Sequence, residues 1–384
     1  MSEPAVEGRL QRWSEARRVL LIRLDNLGDV LMTTPAIAAV RESLPKAHLA
    51  LLAAPPSQAL QPHLRDVDEV IGFHAPWVKA GAAALDELAR RTPSLAHGEA
   101  ERAQLRRLAE ARFDAAIIFT VCTQSPLPAA LLCRLAGIPL VLAHSRERAY
   151  GLLSDEIADG DLIGSVTLRH EVQRQLDLVA QVGLRTRDER LRFHVREEDG
   201  QAARQLLQAT GLAPDVPYLL VHPGASAASR RYPAASFGAA AALMRRDPLL
   251  AGVRIVFCAG PGEAALLREA EAAMDGDGVV LPPPATLGTL AALVAGARVL
   301  VANNSGPVHL AAALGTPVVE LYALTNPQHT PWRVPARVLS HDVPCRNCLK
   351  SVCPQGHHDC LRRVPPRAVA EAVRTFLRPV AWAA

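Results

Sequence analysis

Apolar residues recur along this chain in short unbroken runs rather than in strict alternation. RVLLIRL (Arg18–Leu24), AHLALLAA (Ala47–Ala54), DAAIIFT (Asp114–Thr120) and IPLVLAH (Ile138–His144) are examples. Runs of this length, closed by polar or glycine-containing turns, predict strands buried on both faces. VDEVIGF (Val67–Phe73) reads as a shorter strand. Between the runs the period changes. Helical spacing follows Leu24 to about Arg41, dominates Ala82–Arg112 with a break near Thr92-Pro93, and returns near Pro128–Ala136. Strand alternating with helix predicts a parallel sheet with helices on both faces.

The pattern then restarts. Gln173–Val182 and Glu197–Ala209 read as helices. YLLVHPGAS is a strand entering a glycine turn, GVRIVFCAGPGE is strand, turn and helix start, and GVVLPP is a short strand. LGTLAALVAGA is a helix and RVLVANNSG a strand. The predicted fold class is α/β: two Rossmann-like, doubly wound domains facing each other across a cleft. The expected divisions are a polar extension at 1–17, an N-terminal domain at 18–200 and a C-terminal domain at 201–384. Ligands in such sheets bind beyond the carboxyl ends of strands, and each polar motif of this chain sits at such an end.

The first motif is RLDNLGDVLMTTPAI. Strand one gives way to Asp25-Asn26-Leu27-Gly28-Asp29 and then a helix. Asp29 suits a helix start, where its carboxylate accepts otherwise unpaired amides. The same carboxylate faces the expected cleft, where it is a candidate general base. The two roles are compatible. No G-x-G-x-x-G and no G-x-x-x-x-G-K-[ST] follows the strand, so dinucleotide and P-loop readings lose their usual support.

The second motif, HPGASAASRRYPAASF, places Gly224, Ala225 and Ser226 at a strand end, with Arg230 and Arg231 close behind. A glycine turn permits close approach to a ligand, and arginine offers a forked, permanently charged donor set for phosphate. The third, FCAGPGEAALL, puts Glu263 at a helix start, where it either complements the helix dipole or accepts from ribose hydroxyls. The fourth is NNSGPVHLAAALG: Asn304, Ser305 and Gly306 precede Pro307, which fits a first helical turn. The amides of that turn form an anion site, with His309 one turn inside.

Composition narrows the class. Of 384 residues, 49% are apolar and 21% charged, which marks a globular chain and not a disordered one. The net charge of +4, without long Lys/Arg blocks, predicts no nucleic-acid partner but tolerates an anionic ligand. No apolar stretch is long enough to span a bilayer. Glu3, Glu7 and Glu15 in an N-terminus without an apolar core predict no secretory signal and a cytoplasmic protein. Of seven cysteines, Cys122, Cys133 and Cys258 stand singly in apolar surroundings and read as buried small hydrophobes. Cys345, Cys348, Cys353 and Cys360 cluster, with His357 and His358 among them. The CxxC start resembles a small zinc or iron–sulfur module, but the later spacings match no common one. The expectation is no metal, with these four as the candidate cluster if one exists.

Taken in order, RLDNLGDVLMTTPAI, HPGAS…RRYP…F, GPGE, NNSGPVHLAAALGTPVVELY…TNP and CRNCLKSVCPQGHHDCL resemble glycosyltransferase family 9, the lipopolysaccharide heptosyltransferases. The ordered set runs from about Arg18 to Val373 and is specific as a set. The resemblance implies the GT-B arrangement, with the last helix packing back on the N-terminal domain. It implies inverting transfer of heptose from ADP-heptose to a lipid A–core oligosaccharide, with no cofactor required. Asp29 is then the base. Ser226, Arg230, Glu263, Asn304, Ser305, Gly306 and His309 bind the donor. Asp25, Asn26, Arg146 and Arg148 are placed on the acceptor side, the two arginines to meet its phosphates. Relatives often carry Asp where this chain has Asn304 and Lys where it has Arg230, which leaves the donor sugar or base open. An acceptor of this kind implies peripheral contact with the cytoplasmic face of the inner membrane. The alternatives are another nucleotide-sugar enzyme, such as one for another donor or an epimerase, and a nucleotide-sugar-binding protein without turnover.

Overall fold

A computed structural model describes residues 3–78, 98–213, 215–276 and 278–377. The chain divides into two compact units, Met1–Arg192 and Phe193–Ala384. The predicted helix across Ala82–Arg112 falls largely outside the described residues; its described part is the helix Glu99–Ala111.

The first unit holds β1 (Arg18–Arg23), β2 (His48–Ala53), β3 (Glu69–Gly72), β4 (Ala115–Ile118), β5 (Leu140–Ser145) and β6 (Asp155–Ala158). All pair parallel, in the order β3-β2-β1-β4-β5-β6. The second holds β7 (Tyr218–His222), β8 (Arg254–Phe257), β9 (Val279–Val280), β10 (Val299–Asn303), β11 (Val318–Leu321) and β12 (Ala336–Leu339). Their order is β12-β11-β10-β7-β8-β9, again parallel throughout. Counted within its own unit, each sheet has the doubly wound order 3-2-1-4-5-6.

The apolar runs have the predicted cause. In the second sheet, Leu219, Val221, Val299, Val301, Val319 and Leu321 enter one core. Their neighbours Leu220, Leu300, Ala302 and Val318 enter another on the opposite face. Side chains alternate faces along a strand, so covering both faces with helices demands an unbroken apolar run. Two strands escaped prediction, β6 and β12. Both are short edge strands with exposed positions, so neither carries a continuous apolar signal.

Three features add detail to this organisation. Within the polar extension expected at 1–17, Glu3–Ser14 is a helix, and Trp13 is fully buried. Trp13 Nε1 donates to Asp155 Oδ2 at 2.9 Å, and Arg9 Nε lies 2.9 Å from Asp155 Oδ1. The unit boundary falls before 200/201, because the helix Glu197–Ala209 sends Ala203 and Leu207 into the second unit's core. The helix Pro366–Arg374 buries Val369 and Val373 in the core of the second unit.

Candidate active site

In this strand order the chain winds one way from the first strand and the other way from the fourth. The crevice at their carboxyl ends is therefore the standard ligand position. In the first unit those strands are β1 and β4; in the second they are β7 and β10.

At the end of β1, Asn26 caps the helix Leu27–Ser43 and Asp29 is its third residue. Asp29 Oδ2 accepts the Asn26 amide at 3.1 Å, the returning half of a capping box. Its Oδ1 lies 3.5 Å from the Arg23 guanidinium. The carboxylate is thus fixed from two sides, and its helix-start role and its position at the strand end coexist. Arg23 is the last residue of β1 and is fully buried. Its Nε lies 3.0 Å from Asp25 Oδ2, and its Nη1 lies 2.7 Å from Glu171 Oε1. Gln124, after β4, donates to Asp25 Oδ1. Burial pushes the Asp25 carboxyl up to about 6; the negative charges of Asp29 and Glu171 add to this, and Arg23 and Gln124 oppose it.

Beside this cluster lies a cavity of about 250 Å³, with Leu24, Trp77, Ile118, Phe119, Thr120 and Gln124 in its wall. It joins an apolar, aromatic wall to polar groups at the strand ends, the usual composition of a small-molecule site. Asn26 is exposed. Arg146 and Arg148 follow β5. Arg146 is engaged within the unit, with Nε 3.7 Å from Asp159 Oδ2 and a bond to the Asp161 carbonyl. Arg148 stacks over Tyr150 at 5.8 Å.

In the second unit, Ser305 caps the helix Gly306–Leu314, with Pro307 in its first turn as the sequence predicts. A Cβ added at Gly306 would meet no atom within 4 Å, so the helix start faces space the protein does not fill. His309 is buried within that helix. Asn303 holds the neighbouring turn: its Oδ1 accepts the Tyr232 amide at 2.9 Å and its Nδ2 donates to Pro223 O at 2.7 Å. Asn304 is turned the other way. Its Nδ2 donates to Glu320 Oε1 at 3.0 Å. Glu320 is fully buried, and burial holds its carboxyl well above the usual range, opposed by the Asn304 hydrogen bond and the Arg230 charge.

The two arginines divide their work. Arg230 acts electrostatically on Glu320. Arg231 Nε donates to Ala225 O at 2.7 Å, and its guanidinium lies 4.0 Å from Glu263. Glu263 Oε2 accepts the Gly260 amide at 2.9 Å. A Cβ built on Gly224 would sit 2.0 Å from that same oxygen. The glycine at 224 therefore admits the Glu263 side chain, where the sequence suggested a ligand. Ser226 is exposed at the same strand end.

The cysteine-rich loop is bound to this site. The Ser229 amide donates to Ser351 O at 3.0 Å, and Ser229 Oγ to Lys350 O at 2.6 Å. His358 Nε2 lies 2.7 Å from Ser229 O, and the Asn347 amide donates to Leu324 O at 2.7 Å. The loop thus braces the turn that carries Arg230. Cys345, Cys348, Cys353 and Cys360 are free thiols, with Cys345 Sγ 3.8 Å from His357 Nε2. Among the described residues no three His, Cys, Asp or Glu side chains are gathered to hold a metal ion.

Sequence reading missed Arg23, Glu171, Gln175 and Glu320. A signal existed for each: arginine inside an apolar strand, glutamate inside another, and polar residues at 171, 174 and 175 that share one helix face. All are fully buried, and a buried charge requires a partner.

Residues 102–358 match the family model of glycosyltransferase family 9 (heptosyltransferase). The chain is 28% identical over 350 residues to lipopolysaccharide heptosyltransferase 1 of Pseudomonas aeruginosa, covering 88% of this chain and 87% of that protein. It is 23% identical over 371 residues to lipopolysaccharide heptosyltransferase 2 of Salmonella typhimurium, covering 94% and 98%. Among solved structures, a glycosyl transferase family 9 protein of Veillonella parvula superposes with a TM-score of 0.73 at 22% identity, covering 94% of this chain and 97% of that one. The ADP-heptose lipopolysaccharide heptosyltransferase II of E. coli superposes with a TM-score of 0.68 at 22% identity, covering 94% and 98%.

Proposed function

We propose, from the premise that this chain belongs to glycosyltransferase family 9, that it transfers a heptose from ADP-heptose to a lipid A–core oligosaccharide with inversion. The observation that carries this reading is the division of chemistry between two like sheets. A fixed carboxylate, Asp29, stands at the strand ends of one unit. A helix start facing open space stands at the strand ends of the other, and Arg230 lies in the turn after β7.

In the proposed step the acceptor hydroxyl attacks the anomeric carbon from the side opposite the diphosphate. The new carbon–oxygen bond forms as the old one breaks, and Asp29 takes the hydroxyl proton. ADP leaves with the bonding pair, its charge met by Arg230 and the helix start at Ser305–Gly306. As the family resemblance implies, no cofactor enters this step. Asp25, beside Asp29, and the aromatic cavity fit the acceptor side. No helix among the described residues is long and apolar enough to cross a membrane; reaching a lipid-linked acceptor then needs only contact with the inner membrane's cytoplasmic face.

A second reading, another nucleotide-sugar donor, is favoured by the Asn304–Glu320 pair. Where the family resemblance leads one to expect a carboxylate, this chain presents an amide at 304 and keeps its carboxyl on the neighbouring strand. A thermal-shift screen of ADP-heptose and other nucleotide sugars, followed by turnover with a core acceptor, tests both readings. The first predicts stabilisation and product with ADP-heptose. Stabilisation by a different nucleotide sugar alone supports the second.

A further inference from the structure

Arg23 is one guanidinium serving three carboxylates: Glu171 at 2.7 Å, Asp25 at 3.0 Å and Asp29 at 3.5 Å. The closest partner approaches from the helix Glu171–Ala180, away from the turn. Gln175, one helical turn on, locks it by donating to Glu171 Oε1 at 2.7 Å and to Thr120 O at 3.0 Å. Other charges nearby are committed elsewhere. Arg174 pairs with Asp159 at 2.8 Å and lies 3.5 Å from Asp161, and Arg146 leans on Asp159. His144 is bonded to the Arg174 carbonyl, and burial and the Arg174 charge both favour its neutral form. Gln124, on the Asp25 side, is neutral. The cluster therefore carries one positive charge against up to three negative ones.

A carboxylate that shares an arginine only with water is well placed but is a poor proton acceptor, because the arginine favours its anion. We propose that Glu171 acts through Arg23 as a positioning residue for Asp29: it takes up much of the guanidinium's charge, so that Arg23 holds the acid in place without suppressing its basicity. This rests on the reading of Asp29 as the base. It makes Glu171 a tuner of the reaction that never touches substrate.

The test is a ¹³C NMR titration of aspartate-labelled free enzyme, in wild type, Glu171→Gln and Glu171→Asp, with Asp25→Asn to assign the Asp25 signal. Burial in the wild type is expected to hold the Asp25 carboxyl near 6. Glu171→Gln removes a negative charge and frees Arg23, so the titration moves down by about one unit. Glu171→Asp keeps the charge at a longer reach, so it moves in the same direction by less. In parallel, the acid limb of kcat/KM for heptose transfer moves down with it and the plateau falls about threefold, with donor affinity unchanged. An unmoved titration in either folded variant overturns the inference, as does an upward shift. If the carboxyls shift but the wild type does not use ADP-heptose, the positioning pair stands and the proposed donor falls. If transfer is normal and the titration is unmoved, this inference falls alone.

Discussion

The two sheets are wound identically and carry opposite electrostatics at the same place. At the switch point of the first, three carboxylates crowd one buried arginine. Beside the switch point of the second, the buried acid Glu320 on β11 is held by an amide, and the helix start faces open space. Topology fixes where a ligand goes; the side chains fix what happens to it. An acid-rich end suits taking a proton from an acceptor hydroxyl. An end built of a helix start and arginines suits holding a diphosphate.

The largest effect should come from removing the acid on which that contrast depends. Asp29→Asn keeps the shape and is expected to cost about 10³-fold in transfer rate, with donor affinity by calorimetry unchanged. Normal turnover in that variant would erase the functional difference between the two units.

Next is an attempt to make the second unit resemble the first. Asn304→Asp sets a second carboxyl against Glu320, where the amide now donates at 3.0 Å. Two buried acids at that range cannot both ionise, so a loss on the order of 3 kcal/mol is expected at pH 8. The loss shrinks toward pH 5 as one proton is shared. Urea unfolding at the two pH values reads it, and equal losses at both would contradict the like-charge account.

The first unit has its own pH signature. Burial pushes the Asp25 carboxyl in the folded protein up to about 6, from its ordinary 3.8. Between those values the folded state holds more protons than the unfolded chain. Stability therefore falls as pH rises through this window and levels above it, by about 2–3 kcal/mol. Asp25→Asn is expected to flatten that fall; a slope that survives the substitution assigns it to another group.

The smallest effect expected is from Arg230→Ala. It should weaken donor binding about tenfold, about 1.4 kcal/mol, while leaving the Asp25 titration where it was. A change in that titration would mean that the two ends are not chemically independent.

How much of this was legible in the sequence depended on distance along the chain. Strands such as Arg18–Arg23 and Val299–Asn303 announce themselves, because burial on both faces writes a local apolar run. The edge strands Asp155–Ala158 and Ala336–Leu339 write none. The helix-start positions of Asp29 and Ser305 were readable because turn chemistry and strand ends are local. The pairing of Glu171 was not: its partner Arg23 lies 148 residues away, and pairing across that separation exists only once the sheet has formed. Gly224 misled for a related reason. Its lack of a side chain signalled a close approach, and the approaching group is Glu263.

The central claim is a single displacement with Asp29 as base and a diphosphate leaving from the opposite side. The anomeric configuration of the heptosyl product, determined by NMR from ADP-heptose of known configuration, tests it most directly. Inverted configuration is predicted. Retained configuration would contradict it, because a single displacement from the side opposite the diphosphate cannot retain the anomeric configuration.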